Sequence, residues 1–239
     1  MSRCIGILVV LLQLGQPLLA QISSGKIVYE RKTNLYKKYK DDWAREWIKQ
    51  EDKTKVDMFE LYFNDSLSAF KPQESDIREK MSWTTSKNSV YQNLNQDKRV
   101  TIKSIWGEQL YVQDSLCRRT WKITESKRTI CGYLCRKAIW QANDSVRLYA
   151  WYCNEISAGI GPESFTGLPG AILGLATEDG GVIYFAKSVQ AGQQSMEELL
   201  MKKTKSRIYT AEELRARLEK QFGKEKWGKE MIHENFDIW

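Results

Sequence analysis

The chain has 239 residues, of which 42% are hydrophobic, 11% aromatic and 28% charged, a balance that excludes a disordered or fibrous protein and is sufficient for one cored domain. Its formal charge of +7 is scattered, with pairs such as Lys37-Lys38 and Lys202-Lys203 rather than one basic block. That distribution argues against nucleic acid and for a solvated basic surface.

The chain opens MSRCIGILVVLLQLGQPLLAQ. Arg3 supplies a positive start, Ile5 to Leu14 an apolar run, and Ala20 a small residue ahead of Gln21, which is the layout of a secretory signal peptide. The run is shorter than the roughly 20 residues needed to span a bilayer, and no second apolar span follows. Residues 1–20 are therefore expected to be removed, leaving an exported protein with no transmembrane span, located in the periplasm or at the outer membrane. GKIVYER then reads as a strand. In LYKKYKDDWAREWIKQ, Tyr39, Trp43 and Trp47 recur at four-residue steps beside Ile48, which predicts a helix with an aromatic stripe turned to the core.

Strand signals resume at VDMFELYF, LSAFK, RVTIKSIW and QLYVQDS, the last two joined across Gly107. WKIT and KRTI flank a polar connection at Glu125-Ser126, and YLCRKAIWQA and SVRLYAWYC flank Asn143-Asp144. AILGLATEDGGVIYFAKSV reads as two strands around Asp179-Gly180-Gly181, with Glu178 and Asp179 as solvated turn carboxylates. From Ala191 the composition shifts to Glu, Leu, Lys and Arg. Thr210 with Glu213 makes a capping box, and Leu214, Leu218 and Phe222 keep one apolar face, so a helical extension is expected. Gly223 and Gly228 are expected to loosen it, with Phe236 and Trp239 tucked against the body. The predicted class is mainly β (α+β overall): an antiparallel, curled or bowl-like sheet over residues 21–190 and a helical extension over 191–239.

After processing, four cysteines remain: Cys117, Cys131, Cys135 and Cys153. Export permits disulfides, and four cysteines allow three pairings. A three-residue loop at Asn143-Asp144-Ser145 would set Ala142 opposite Val146 and Cys135 opposite Cys153, within disulfide reach. A two-residue loop would set Leu134 there instead. Cys117 with Cys131, across a hairpin at Glu125-Ser126, is the second pair by elimination.

The segment GPESFTGLPGAILGL, Gly161 to Leu175, raises three readings: a phosphate loop, a catalytic turn or a bend. A phosphate loop needs consecutive backbone N–H donors ahead of a helix and normally a lysine; here Pro162 and Pro169 remove two donors and a strand follows. A nucleophile elbow needs Gly-x-Ser-x-Gly, which is absent. The segment is therefore expected to be a structural corner: Gly167 and Gly170 permit positive φ, Pro169 fixes its own φ, and Leu168 plugs the core.

This segment, together with ICGYLCRKA, LYAWYC and the strand GVIYFAKSV, resembles the GLPGLI family of exported Bacteroidetes proteins, with Gly161, Pro162, Gly167, Leu168, Pro169 and Gly170 carrying the motif. GKIVYE, ELYFNDSLSAF and WKITESKRTI also sit in the family's order. Two departures are Ala171 in place of a leucine and Cys153 in place of a small polar residue. The resemblance implies an envelope location, a largely antiparallel β fold and no defined chemistry. A more distant similarity is to the bowl-like N-terminal domain of a bacterial peptide N-glycosidase. Ser66, Ser115 and Ser145, each in Asp-Ser-aliphatic, resemble acceptors of general O-glycosylation in such proteins; ordinary turn chemistry accounts for them equally well.

Catalytic chemistry is scarce. The chain has one histidine, His233 in the tail, so Ser-His-Asp and Cys-His arrangements lack a base. Asp41-Asp42, Glu197-Glu198 and Glu212-Glu213 lie in helical, solvated contexts. No catalytic, metal or cofactor-binding residue is assigned, and no cofactor is expected. The sequence points to a non-enzymatic envelope accessory factor with a protein partner, such as an outer-membrane β-barrel. The alternatives are a carbohydrate- or peptide-processing accessory module taking a glycan, to which nine tryptophans would contribute, and a carboxylate-based hydrolase.

Overall fold

The structure, a computed structural model, describes residues 21–40, 46–74, 80–105, 107–143 and 146–238, with side chains undescribed at 142, 237 and 238. The signal-peptide reading, Trp43, Asp41-Asp42, Ser145 and Trp239 lie outside these residues.

Twelve strands form one sheet. The first arm comprises β1 (Gly25–Asn34), β2 (Thr54–Phe63), β3 (Leu67–Pro72), β4 (Ser89–Asn93), β5 (Lys98–Ile105) and β6 (Glu108–Asp114). The second comprises β7 (Lys122–Ile130), β8 (Tyr133–Asn143), β9 (Val146–Cys153), β10 (Ala171–Thr177) and β11 (Val182–Ala191). A short strand, β12 (Ile208–Tyr209), lies at one edge, and the spatial order is β12-β6-β5-β4-β3-β2-β1-β11-β10-β9-β8-β7. Every neighbouring pair is antiparallel except β12 with β6, which is parallel. The class is mainly β, α+β overall, as the alternating strand patterns predict. Each arm is a run of consecutive strands, and the β1–β11 pairing joins the two.

Alternation decides which face is covered. In β1, Ile27, Tyr29, Arg31 and Thr33 are buried in phase, opposite Leu61, Phe59, Asp57 and Lys55 of β2. The inner face of β1, β2, β3, β9 and β10 forms one apolar cluster with Ile156, Ile160, Phe165 and Leu168 of the segment after β9. Phe59 and Phe70 stack within it at 4.8 Å. A second, separate cluster is built by Ile105, Leu110 and Val112 with Leu214, Leu218 and Ile232.

The helices are short: α1 (Leu35–Lys38), α2 (Met196–Leu199), α3 (Ala211–Phe222) and α4 (Lys226–His233), followed by a π-helical turn at Glu234–Ile238. Thr210 and Glu213 close the expected capping box at the start of α3. Helices α3 and α4 pack on the β5–β6 end of the sheet, so residues 191–239 are not a helical appendix alone: they add β12 to the edge and half of the second core. Gly228 does not loosen its helix. A Cβ there would lie 2.1 Å from the Phe222 carbonyl oxygen, so the glycine allows α4 to close on the end of α3.

Three further expectations are corrected. Helix α1 stops at Lys38 and Tyr39 is extended; its ring meets Trp83 at 5.7 Å and its hydroxyl donates to the Thr84 carbonyl at 2.9 Å. Tertiary capture of Tyr39 thus breaks the aromatic stripe. Trp47 is 67% exposed, while Ile48 is buried against Leu35 as expected. Glu125-Ser126 is no turn either: β7 runs through it with a register shift, and the chain reverses at Cys131-Gly132, both at positive φ. Nine strand steps carry Cys131 roughly 30 Å from Lys122, and the five residues back to Cys117 reach about 18 Å at most. The Cys117–Cys131 pairing therefore loses its geometry, since a disulfide needs Cα atoms within about 7 Å. One strand goes unread in the sequence because it carries too little alternation: β4, which fills the place between β3 and β5.

The register of β8 and β9 sets the expected pair of cysteines level by another route, but the expected disulfide between them is not formed. Asn143 pairs with Val146, which is the two-residue loop, but a bulge follows Gln141, and Arg136 then pairs with Tyr152. One step further brings Cys135 level with Cys153. Both are fully buried, free thiols.

Candidate functional site

The two apolar clusters do not merge. Between them runs a seam of charged and polar side chains, all on the covered face of the sheet. Tyr184 of β11, Arg31 of β1 and Asp57 of β2 are register partners across three adjacent strands. On the first arm, Ser89 pairs with Ile102, so one step further sets Asn88 beside Lys103. Glu163, from the segment between β9 and β10, lies over this row.

Arg31 holds the seam together. Its Nη2 lies 2.8 Å from Asp57 Oδ2, Nη1 3.4 Å from the Tyr184 hydroxyl and Nη1 3.9 Å from Glu163 Oε1. Its guanidinium also covers the Phe59 ring at 4.7 Å. The Tyr184 hydroxyl donates to Glu163 Oε1 at 2.6 Å, and Thr85 donates to Asp57 Oδ2 at 2.9 Å. The other Asp57 oxygen faces Lys87 at 3.5 Å and Lys55 at 3.8 Å. Lys103 donates to the main-chain carbonyl of Asn235, and its ammonium sits 5.0 Å from the Phe236 ring centre.

These groups are buried deeply enough to shift. Burial pushes the Asp57 carboxyl up, but Arg31, Thr85 and Lys87 together outweigh it and hold it below the usual range. Glu163 has the opposite balance: burial pushes it up, and Arg31, Tyr184 and Lys103 only partly offset that. Burial also pulls Lys103 down to about 8, against the nearby Glu163 and Glu234. A carboxyl held up and an ammonium held down in one cluster is a recurrent mark of functional sites.

Two small cavities open along the seam, of about 30 and 100 Å³, and both are bordered by Asn88, Glu163 and Asn235. The first also shows Arg31, Lys38, Thr85, Ser86 and Glu234; the second shows Arg99, Lys103, Asp114 and Phe236. Asn88 Oδ1 is buried with no hydrogen-bond partner among the described residues. Such an orphan costs about 1–3 kcal/mol. Donors and acceptors of both signs therefore line the same space, which suits a polar ligand with several hydrogen-bonding groups rather than a simple anion.

The corner that presents Glu163 is built as the sequence predicts. Gly167 and Gly170 have φ of 93° and 157°, and Leu168 is 4% exposed within the first core. Gly161 packs against Ile172, where a Cβ would come within 2.8 Å. Pro162 accepts from Phe165 N–H at 3.1 Å, closing a turn around Glu163. Arg119 and Trp121 fasten the loop by donating to the carbonyls of Ser164 at 3.0 Å and Thr166 at 2.9 Å. Glu163 itself has φ of 54°, a left-handed conformation that a β-substituted residue adopts at a cost of about 1–3 kcal/mol.

Sequence reasoning treats this motif as structure only and misses the carboxylate inside it. It also passes over Arg31 and Asp57, although both stand on the inward phase of otherwise apolar strands. The carboxylates it does single out lie elsewhere: Glu178 pairs with exposed Arg147 at 2.8 Å and Asp179 caps its own turn. Ser66 is half-buried and accepts from Asn95 at 2.9 Å, and Ser115 is exposed; neither belongs to the seam. Cys135 and Cys153 lie in the first core and Cys131 at the exposed β7–β8 turn. Among the described residues, no group of three or more His, Cys, Asp or Glu could hold a metal ion, and no helix is long and apolar enough to cross a membrane.

Comparison with known proteins gives a fold and little chemistry. Residues 140–174 match the model of a family described as a protein of unknown function (Porph_ging). The match takes in β9 and most of the corner. No curated protein matches the chain. The solved structures of PNGF-II in the C2 and P21 space groups are similar to it at TM-score 0.52. They share 16% and 14% identity and cover 78% of this chain. The chain spans 30% and 31% of their length, and at this identity the likeness is one of fold alone. An uncharacterized conserved protein from Thermus thermophilus aligns over 79% of the chain and 91% of its own length, at 6% identity and TM-score 0.43.

Proposed function

We propose that the protein is an exported, non-enzymatic binding factor of the cell envelope that holds polar groups of its partner in the seam between its two cores. The observation that carries the reading is the seam itself. Buried Arg31, Lys103 and Glu163 border two cavities, and Asn88 brings an unpaired acceptor to the same place. A buried ionic cluster stabilises a fold poorly compared with apolar packing of the same volume, so its presence between the two cores calls for another use. Export rests on the N-terminal layout of residues 1–20, and the envelope location on the resemblance drawn from the sequence. The carboxylates do not support a hydrolase equally well, because Asp57 and Glu163 both face Arg31.

Binding of the full chain to an array of defined glycans and a library of defined decapeptides tests the reading. The expected result is one class of bound ligand, lost on Lys103→Met and on Asn88→Leu in protein that still melts cooperatively. Ligands retained by both variants would place binding elsewhere. A carbohydrate partner is the second reading, and one observation favours it. Trp83, 53% exposed and beside Tyr39, stands next to the cavity residues Thr85 and Ser86, where a sugar ring could stack.

A further inference from the structure

We infer that the ligand class of the seam is peptide, and that the chain's own segment Glu234–Phe236 occupies the site in cis; this rests on the reading of the seam as a binding site. Three successive residues engage it with the three kinds of group a peptide offers. The Glu234 carboxylate meets Lys38 at 2.6 Å, the Asn235 main-chain carbonyl accepts from Lys103, and the Phe236 ring lies 5.0 Å from the Lys103 ammonium. A buried lysine satisfied by a main-chain carbonyl is an arrangement that another peptide could reproduce without matching side chains.

The segment also fits the seam incompletely. Both cavities border Asn235, and the Asn235 amide donates to the Met231 carbonyl at 2.9 Å. Asn88 Oδ1 is left without a donor. A ligand bearing a hydroxyl, amide or ammonium at that position would supply what the cis segment does not. The helices are anchored chiefly by Leu214, Leu218 and Ile232, which are buried in the second core, while Phe236 packs only at its edge. Release of Glu234–Phe236 therefore removes one edge ring and leaves those three buried anchors in place. The segment is wound as a π turn, Glu234–Ile238, a form that is rare and frequent at functional sites. The full chain is then self-blocked, and a peptide in trans binds it more weakly by the fraction of time the seam is open.

The test compares the full chain with a chain ending at His233. The probe is a fluorescein-labelled peptide of the sequence His-Glu-Asn-Phe-Asp-Ile-Trp, residues 233–239, read by anisotropy. The shortened chain is expected to bind it saturably and at least about tenfold more tightly than the full chain. Lys103→Met in the shortened chain should abolish the difference, and a scrambled peptide should not bind. If the shortened chain fails to melt cooperatively, the full-length double variant Glu234→Ala/Phe236→Ala, which keeps Ile232, opens the seam instead. A folded open form that ignores the peptide but takes a defined glycan at Lys103 would overturn the peptide inference alone. One that binds neither would overturn the reading of the seam as well.

Discussion

Substituting Gly170 by alanine tests whether the corner that presents Glu163 is held by backbone geometry. A Cβ on Gly170 would lie 2.0 Å from the Cys153 carbonyl oxygen and 2.7 Å from its carbonyl carbon. Both atoms are main chain and neither can rotate away. Relief requires β10 to move off β9 by about 1 Å, which is the shortfall from a normal carbon–oxygen contact. That movement disturbs the Ala171–Cys153 pairing and the packing of Leu168 and Ile172. Positive-φ strain adds about 1–3 kcal/mol and overpacking a further 1–3 kcal/mol, so a loss on the order of 2–6 kcal/mol is expected. Gly132→Ala is the matched control: its φ is 84°, but a Cβ there meets nothing within 4 Å. It should show the strain alone, partly offset by a stiffer unfolded chain, or roughly 1 kcal/mol. Equilibrium urea unfolding, with unchanged dependence on denaturant, reads both. Equal losses for the two variants, or a Gly170→Ala protein as stable as its parent, would show that the corner yields and that the reasoning is wrong.

Asp57→Asn leaves Arg31 buried and short of its counter-charge, and should cost about 3–5 kcal/mol in urea unfolding; a loss below about 1 kcal/mol would mean that the network is not closed. The Asp57 carboxyl is held low, so its stabilisation is present above the unfolded pKa of about 3.9 and lost as pH falls through the lower folded value. Glu163 has the opposite sign: its pKa is raised, so the stability linked to its protonated form fades as pH rises through the folded value. Glu163→Gln should flatten that part of the stability–pH curve, and an unchanged curve would contradict the assignment. Under oxidising conditions Cys135 and Cys153 should yield a disulfide-linked peptide in non-reducing mapping; a Cys131–Cys153 peptide would refute the register of β8 and β9. Leu218→Ala, deep in the second core, should cost about 2–5 kcal/mol, and a neutral result would show that the helices are not part of the cooperative fold.

Elements whose information is local are legible in the sequence. The β10–β11 hairpin turns at Asp179-Gly180-Gly181 because Asp179 accepts from the Gly181 N–H at 2.9 Å and Gly180 takes φ of 66°. The Thr210–Glu213 capping box and the Gly167–Gly170 corner belong to the same category. What stays hidden depends on distant partners. Tyr39 meets every periodicity rule for a helical stripe, yet Trp83 and Thr84, more than forty residues away, draw it out. Strand β4, Ser-Val-Tyr-Gln-Asn, has only Val90 and Tyr91 to mark it, and it forms because β3 and β5 both offer it an edge. The seam is least visible, because Arg31, Asp57, Lys103, Glu163 and Tyr184 meet only through strand pairing and a loop crossing. One clue is available: Arg31 follows Ile27 and Tyr29 at two-residue steps, which puts a charge on the buried face of β1.

The claim that the seam is the binding surface is tested most directly by NMR of the full protein, following the Asn88 side-chain amide and the Lys103 ammonium during titration with the tightest ligand from the array. Both signals should move together and saturate at the same ligand concentration, with the Asn88 amide showing the largest shift of any asparagine. Saturable binding that leaves both signals still, while moving Trp151 and Phe185 on the outer face of the sheet, would contradict the account.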